Sequence, residues 1–161
     1  MLNPEVAAHF EAGSAEIVGF VTPDGRPYAT RGWGIDVLDA DAGLIRLLMR
    51  AVDLVPVGLG PGDRPDVPIA ITASDVPTLF SIQIKGRLEA VDASVDGDPE
   101  RVTRYCDAFI DDVVGADRIR RNLMELWRPT GPLVACTVRI DEQFAQTPGP
   151  DAGARLPSRV R

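Results

Sequence analysis

TLFSIQIKGRLEAVD, residues 78–92, alternates sharply. Leu79, Ser81, Gln83, Lys85, Arg87 and Glu89 fall on one face, and Phe80, Ile82, Ile84, Gly86, Leu88 and Ala90 on the other. A period of two with one apolar face is the pattern of a half-buried antiparallel strand. Shorter segments upstream read the same way. Residues 16–22, EIVGFVT, form a strand, and Pro23, Asp24 and Gly25 supply a tight hairpin into a long second strand over 27–39. Asp41 to Gly43 turns the chain into a third strand over 43–50, and IAITAS at 69–74 follows a Gly/Pro-dense loop at 57–68.

Helices stand apart from these strands. Asn3 followed by Pro4 predicts a capped N-terminal helix ended by Gly13. Asp98-Pro99 opens a longer helix with Val102, Tyr105, Cys106, Phe109, Ile110 and Val113 on one stripe, ended by Gly115. A second helix carries Ile119, Leu123, Leu126 and Trp127 on one face. Residues 133–142, LVACTVRIDE, close the pattern as a strand with Val134, Cys136, Val138 and Ile140 inward. About six strands with helices set to one end predict a mainly β fold, a closed antiparallel barrel with flanking helices. Residues 1–146 form the single domain, and 147–161 an irregular, Pro/Gly-rich tail with a basic, mobile end.

Composition narrows the chemistry. The 161 residues, 17.3 kDa, make one domain. The charge sum 17 − 24 = −7 argues against nucleic acid and against an anionic membrane surface. Cys106, Cys136 and His9 are the only Cys and His, one short of a four-ligand structural zinc site. Any Ser-His or Cys-His mechanism would depend on His9, which reads as a packed residue. Both cysteines sit in apolar patterns, as small core residues in a reducing compartment. MLNPEVAAHFE lacks the features of a signal peptide, and Arg46 interrupts the longest apolar run. A cytoplasmic protein is expected.

Three stretches carry candidate chemistry. GLGPG at 58–62 has its third glycine too early for a dinucleotide fingerprint, and no helix follows it. On a continuous second strand, Arg31, Trp33 and Ile35 share a face, with Gly32 and Gly34 on the other. That is either a seat for a planar anionic ligand or a barrel bend around a packed tryptophan. Ser81, Gln83 and Lys85 place a hydroxyl, an amide and a cation about 6–7 Å apart along one strand face. Lys85 is the single lysine among 17 Lys and Arg. Gln143 and Gln146 precede the tail and could reach a pocket, and the tail could wrap a neighbour.

GFVTPDGRPYATRGWG (19–34), SIQIKGRLEAVD (81–92) and the strand-helix-helix-strand ending resemble the pyridoxamine 5′-phosphate oxidase-like family of FMN-binding split barrels. The resemblance covers roughly residues 14–142. It implies a homodimer with FMN in clefts between subunits and a small-molecule substrate. It further implies that Arg31, with Trp33 beside it, contacts FMN, that Ser81 and Gln83 lie near the flavin, and that Lys85 lies next to them. The family's oxidases carry a phosphate cluster after the third strand; here RAVDLVPVGLGPGDRP (50–65) offers Arg50 and Arg64 and no lysine. Their C-terminal Trp/Arg motif is replaced by QTPGP. The resemblance implies a flavin-dependent oxidoreductase. The alternatives are a non-catalytic dimeric ligand-binding or stress-response protein of the same fold, or a relative that binds the deazaflavin F420 or haem.

Overall fold

The computed structural model describes residues 1–157. Helix α1 spans Pro4–Glu11, and the Asn3 side chain accepts the Glu5 N–H at 2.9 Å as its cap. The strands are β1 Ala15–Val21, β2 Pro27–Arg31, β3 Ile35–Asp39, β4 Leu44–Arg50, β5 Val67–Ser74, β6 Ser81–Ala93 and β7 Leu133–Ala145. Helices α2 (Asp98–Asp117) and α3 (Arg121–Met124) lie between β6 and β7. All strand pairs are antiparallel, in the order β2-β1-β5-β6-β7-β4-β3.

The expected single strand over 27–39 is two strands at opposite edges of this sheet. Gly32, Trp33 and Gly34 carry the chain from one edge to the other. Gly32 N–H donates to Glu16 O of β1 at 3.3 Å, Trp33 N–H donates to Leu48 O of β4, and Leu48 N–H donates to Gly34 O, both at 2.9 Å. The sheet is therefore bridged at this seam by three residues of chain, and its hydrogen-bonded ladder stays open between β2 and β3. The earlier expectation of six strands in a closed barrel becomes seven strands with one covalent crossing. Glycine is required at the crossing: a Cβ on Gly32 would strike the Glu16 carboxyl and Leu47, and Gly34 sits at φ +123°.

Along β6 the alternation holds through Leu88 and then slips. Bulges between Lys85 and Gly86 and between Leu88 and Ala90 shift the register, so that Val91 rather than Ala90 is the buried residue. The segment before Ser81 is a turn held by Asp75, whose carboxylate accepts the Thr78 N–H at 2.9 Å. Inside the barrel, Leu47, Ile71, Ile84, Leu88 and Val138 are fully buried. Each such side chain contributes about 1.5–3 kcal/mol by leaving water.

The helices cover only part of the outside. Trp33, Leu48, Tyr105, Cys106 and Ala135 pack α2 against β4 and β7. Gly97, not Asp98, is the cap of α2, and the helix runs past Gly115 until Arg118 takes a left-handed conformation. The expected second helix is one turn of α3 and a 3₁₀ turn over Glu125–Trp127. Leu123 and Leu126 point to solvent, Ile119 is partly exposed, and Trp127 lays its ring by Arg31 and Phe109 while staying half exposed; Met124 is the buried residue. Ion pairs from Arg121 to Asp111 and from Arg128 to Asp107 fix the short segment in that orientation.

Up to Leu156 the tail turns back on its own chain. Ala145 N–H donates to Ala154 O at 2.9 Å, and Leu156 N–H donates to Gln143 O at 2.8 Å. Gln143 is engaged within the chain. It is buried, its Oε1 accepts the Asn3 N–H, and its Nε2 donates to Met1 O, so it ties the N-terminus to β7. Gln146 N–H donates to Ser81 O at 2.8 Å. Residues 158–161 of the expected mobile end lie outside the described residues. Among the described residues no helix is long and apolar enough to cross a membrane.

Candidate functional site

Direct cross-strand partners share a sheet face. Arg31, Ile17, Thr72, Gln83 and Phe144 are successive partners across β2, β1, β5, β6 and β7. The next outward row is Ala29, Gly19, Ala70, Lys85 and Glu142. Ala15, Ser74 and Ser81 continue the same face. Strands lie about 4.8 Å apart, so Arg31 and Gln83 bracket a stretch of sheet about 14 Å wide. Its floor is small: Gly19, Ala29 and Ala70. Ile17 and Val21 stand exposed on it at 48% and 57%. A cavity of about 340 Å³ opens there against Gly19, Val21, Pro68, Ala70, Lys85 and Gly86.

Arg31 has an unusual setting. Its guanidinium carbon lies 4.7 Å from the Trp127 ring centre, 4.9 Å from Phe109 and 5.2 Å from Trp33. Its Nε and Nη2 are buried and have no hydrogen-bond partner among the described residues. Aromatic faces stabilise the charge, but they accept none of its N–H groups. Behind it, Glu16 occupies the inner row with Ala73 and Ile82 and is fully buried. Burial pushes its carboxyl up to about 8, against the opposing pull of the Gly34 N–H and the Arg31 charge. Glu16 Oε2 accepts the Gly34 N–H at 3.1 Å, while Oε1 has no partner among the described residues. Tyr105 O–H donates to Ser14 O at 2.8 Å and accepts the Glu16 N–H at 3.3 Å. Burial also drives the Tyr105 phenol well above its usual range.

The other expected site residues divide. Gln83 Nε2 donates to Thr72 Oγ1 at 3.0 Å, leaving its carbonyl oxygen unengaged. The Lys85 ammonium sits 4.7 Å above the Phe144 ring at the edge of the cavity. Ser81 lies on the face, but its hydroxyl is 2.8 Å from Ser74 Oγ and 2.9 Å from Leu79 O, so it is already engaged. Trp33 is not on a strand with Arg31 and Ile35; it is buried in the crossing and reaches the face only through the Arg31 guanidinium. Arg50 is committed elsewhere, donating to Asp53 from Nε at 2.9 Å and Nη2 at 2.6 Å. Arg64 is likewise tied to Asp92. A larger cavity of about 430 Å³ lies between α2 and the 128–133 loop, against Cys106, Leu133 and Arg128. None of the expected site residues lines it, and Arg128 is held by Glu125 and Asp107.

Solved structures with this arrangement exist at low sequence identity. A candidate pyridoxamine 5′-phosphate oxidase from Lactobacillus delbrueckii is 17% identical with a TM-score of 0.52, covering 89% of this chain and 93% of that one. The fold is a pyridoxamine 5′-phosphate oxidase-like split barrel. An F420 reductase is 14% identical with a TM-score of 0.51, over 84% of this chain and 93% of that one. HupZ of Group A Streptococcus is 14% identical with a TM-score of 0.52, over 95% of this chain and all of that one. No family model matches the sequence, and no curated protein matches it.

On this split barrel the outer sheet face offers a floor of small residues, one cation at each side and an amide on the same strand as Lys85. That set suits an elongated anion with a flat ring. Sequence reasoning missed Glu16, Tyr105, Phe109 and Trp127 as parts of the setting. Glu16 had a readable signal: in EIVGFVT it shares the inward register with Val18 and Phe20, where an acid is out of place. The aromatic ring contacts needed the fold.

Proposed function

We propose that this protein is a cytoplasmic, homodimeric flavoprotein that binds FMN on the outer face of the sheet and acts as an oxidoreductase on a small molecule. One observation carries the reading: the partnerless donors of Arg31 at the border of an uncovered sheet face that also bears Gln83 and Lys85. The residues present suit FMN. Arg31 is only partly buried, its two inner nitrogens have no acceptor among the described residues, and an anionic phosphate at its exposed side would balance the charge. Gln83 presents an amide to a heterocycle edge, and Lys85 a cation to a negatively charged group. Bound FMN would supply hydride chemistry, so the protein's part is binding, orientation and electrostatics. Small residues at Gly19, Ala29 and Ala70 keep the floor flat, and a second copy of the chain laid on exposed Ile17 and Val21 would exclude water. Haem suits the site less well, because the ring of His9, the only histidine, has Nε2 3.0 Å from Ala73 O.

Thermal melting of wild type and Lys85→Ala, each with and without FMN, tests the reading. Saturating FMN at about 100 times its dissociation constant stabilises a native protein by roughly 2.7 kcal/mol. The expected outcome is similar melting points without FMN and a smaller FMN-induced rise in the variant. Equal rises make Lys85 a solvated strand residue. No rise in protein stripped of flavin rejects FMN, and a rise with F420 alone would redirect the reading to a deazaflavin.

A further inference from the structure

Glu16 is a fully buried carboxyl that the proposed ligand would not touch. Its inner-row neighbours, Ala73 and Ile82, are apolar. On the β4 side Leu47 packs at Gly32, where the carboxyl also lies. From α2 it faces the Tyr105 phenol, whose proton is given to Ser14 O and is not free for the carboxyl. His9 of α1 turns its Nε2 to the carbonyl of Ala73, the cross-strand partner of Glu16. From the crossing it accepts the Gly34 N–H and lies against Gly32, the residue after Arg31; the Arg31 side chain is on the opposite face of the sheet. Two polar side chains with missing partners thus flank the seam, one acidic and one basic. Buried polar atoms without partners are rare and call for a specific explanation.

We propose that Glu16 is a proton-operated partner of Arg31. Protonated, it leaves the guanidinium charge available to an anionic ligand; ionised, it cancels that charge from inside the barrel. Glu16 is a positioning residue here, since it acts through Arg31. The inference rests on the reading of Arg31 as an anion-binding group, and it adds that the affinity of that group is set by a proton. Burial holds the carboxyl neutral up to about pH 8, so the binding-competent form dominates at pH 7. Apparent affinity scales with the competent fraction, so an anion that binds only the protonated form binds up to about tenfold more weakly at pH 9 than at pH 7.

The two tryptophans, Trp33 and Trp127, both lie on the Arg31 guanidinium, so their emission reads the seam without a ligand. Emission is followed from pH 6 to 10 in wild type, Glu16→Gln and Arg31→Met. Wild type should show a step near pH 8, Glu16→Gln none, and Arg31→Met a step moved to higher pH because the attracting charge is gone. Added inorganic phosphate should move the wild-type step upward. FMN affinity, read by flavin fluorescence, should weaken between pH 7 and 9 in wild type and stay flat in Glu16→Gln. A step absent from wild type, or equal in wild type and Glu16→Gln, overturns the proposal. So does a step that neither phosphate nor FMN moves. A step that phosphate moves, in a protein that binds no FMN, keeps the proton coupling and rejects the flavin.

Discussion

Arg46 and Arg31 are both partly buried arginines on the outside of the barrel, and their surroundings are opposite. Arg46 donates through Nη1 and Nη2 to Asp98 at 2.5 and 2.7 Å, and the Val95 N–H completes that carboxylate at 2.7 Å. The Arg46 guanidinium beside Asp98 holds its carboxyl below the usual carboxylate range. Arg31 has three aromatic rings on its faces and no acceptor for Nε or Nη2 among the described residues. The first pair is complete within the chain and anchors the start of α2 to β4. The second is incomplete among the described residues, and the Glu16 carboxyl at the same seam is held neutral by burial at pH 7. Sites that break the rules of satisfied burial are where function is expected to lie.

The contrast can be broken from the satisfied side first. Asp98→Ala leaves Arg46 and the Val95 N–H without their acceptor. Removing one partner of a buried pair is strongly destabilising, and since Arg46 keeps 18% exposure the loss should be about 3 kcal/mol. Urea denaturation of the two proteins reads it directly. A loss below about 0.5 kcal/mol would make Arg46–Asp98 an ordinary surface pair.

The unsatisfied side should behave in the reverse sense. Above pH 4.5 the unfolded chain releases the Glu16 proton, while the native protein keeps it until about pH 8. The native state binds more protons in that window, so stability falls as pH rises from about 4.5 to 8 and levels off above it. Glu16→Gln removes the slope. At pH 8 the variant should be more stable than wild type by about 2 kcal/mol, below the full shift because the new amide also lacks partners. At pH 5, where wild type has lost little of this stability and the partnerless amide still costs, the order should reverse and the variant should be the less stable by about 1–2 kcal/mol. Unfolding curves at the two pH values check this, and an equal offset at both would mean that Glu16 does not titrate in the window.

The same contrast explains what the sequence disclosed. The half-buried strand at 81–88, the inward set Val134, Cys136, Val138 and Ile140, and the α2 stripe from Val102 to Val113 were legible because each is a local period facing one continuous core. The split of 27–39 was not legible, because Gly32-Trp33-Gly34 carries the period of a strand while its partners, Glu16 and Leu48, lie on strands next to opposite edges of the sheet. The exposed faces of Leu123 and Leu126 were misread because helical spacing alone cannot say whether a core lies opposite. Within the site, Arg31, Gln83 and Lys85 were found from residue type and register. The engagement of Ser81 with Ser74 and of Arg50 with Asp53 depends on neighbours that the alternation does not specify.

Arg31 itself gives the smallest expected change in stability and the largest in binding. Arg31→Met keeps an apolar chain among Trp33, Phe109 and Trp127 and removes the partnerless donors. The decisive measurement is an FMN titration of flavin-free wild type and Arg31→Met at pH 7, followed by flavin fluorescence, with both proteins first shown to melt alike. Hydrogen bonds to a charged group are worth about 1.5–3 kcal/mol each. Saturable binding by wild type, weakened about tenfold or more in Arg31→Met, is the expected result. Equal binding by the two proteins, or none by wild type, would contradict the assignment of this seam as the ligand site.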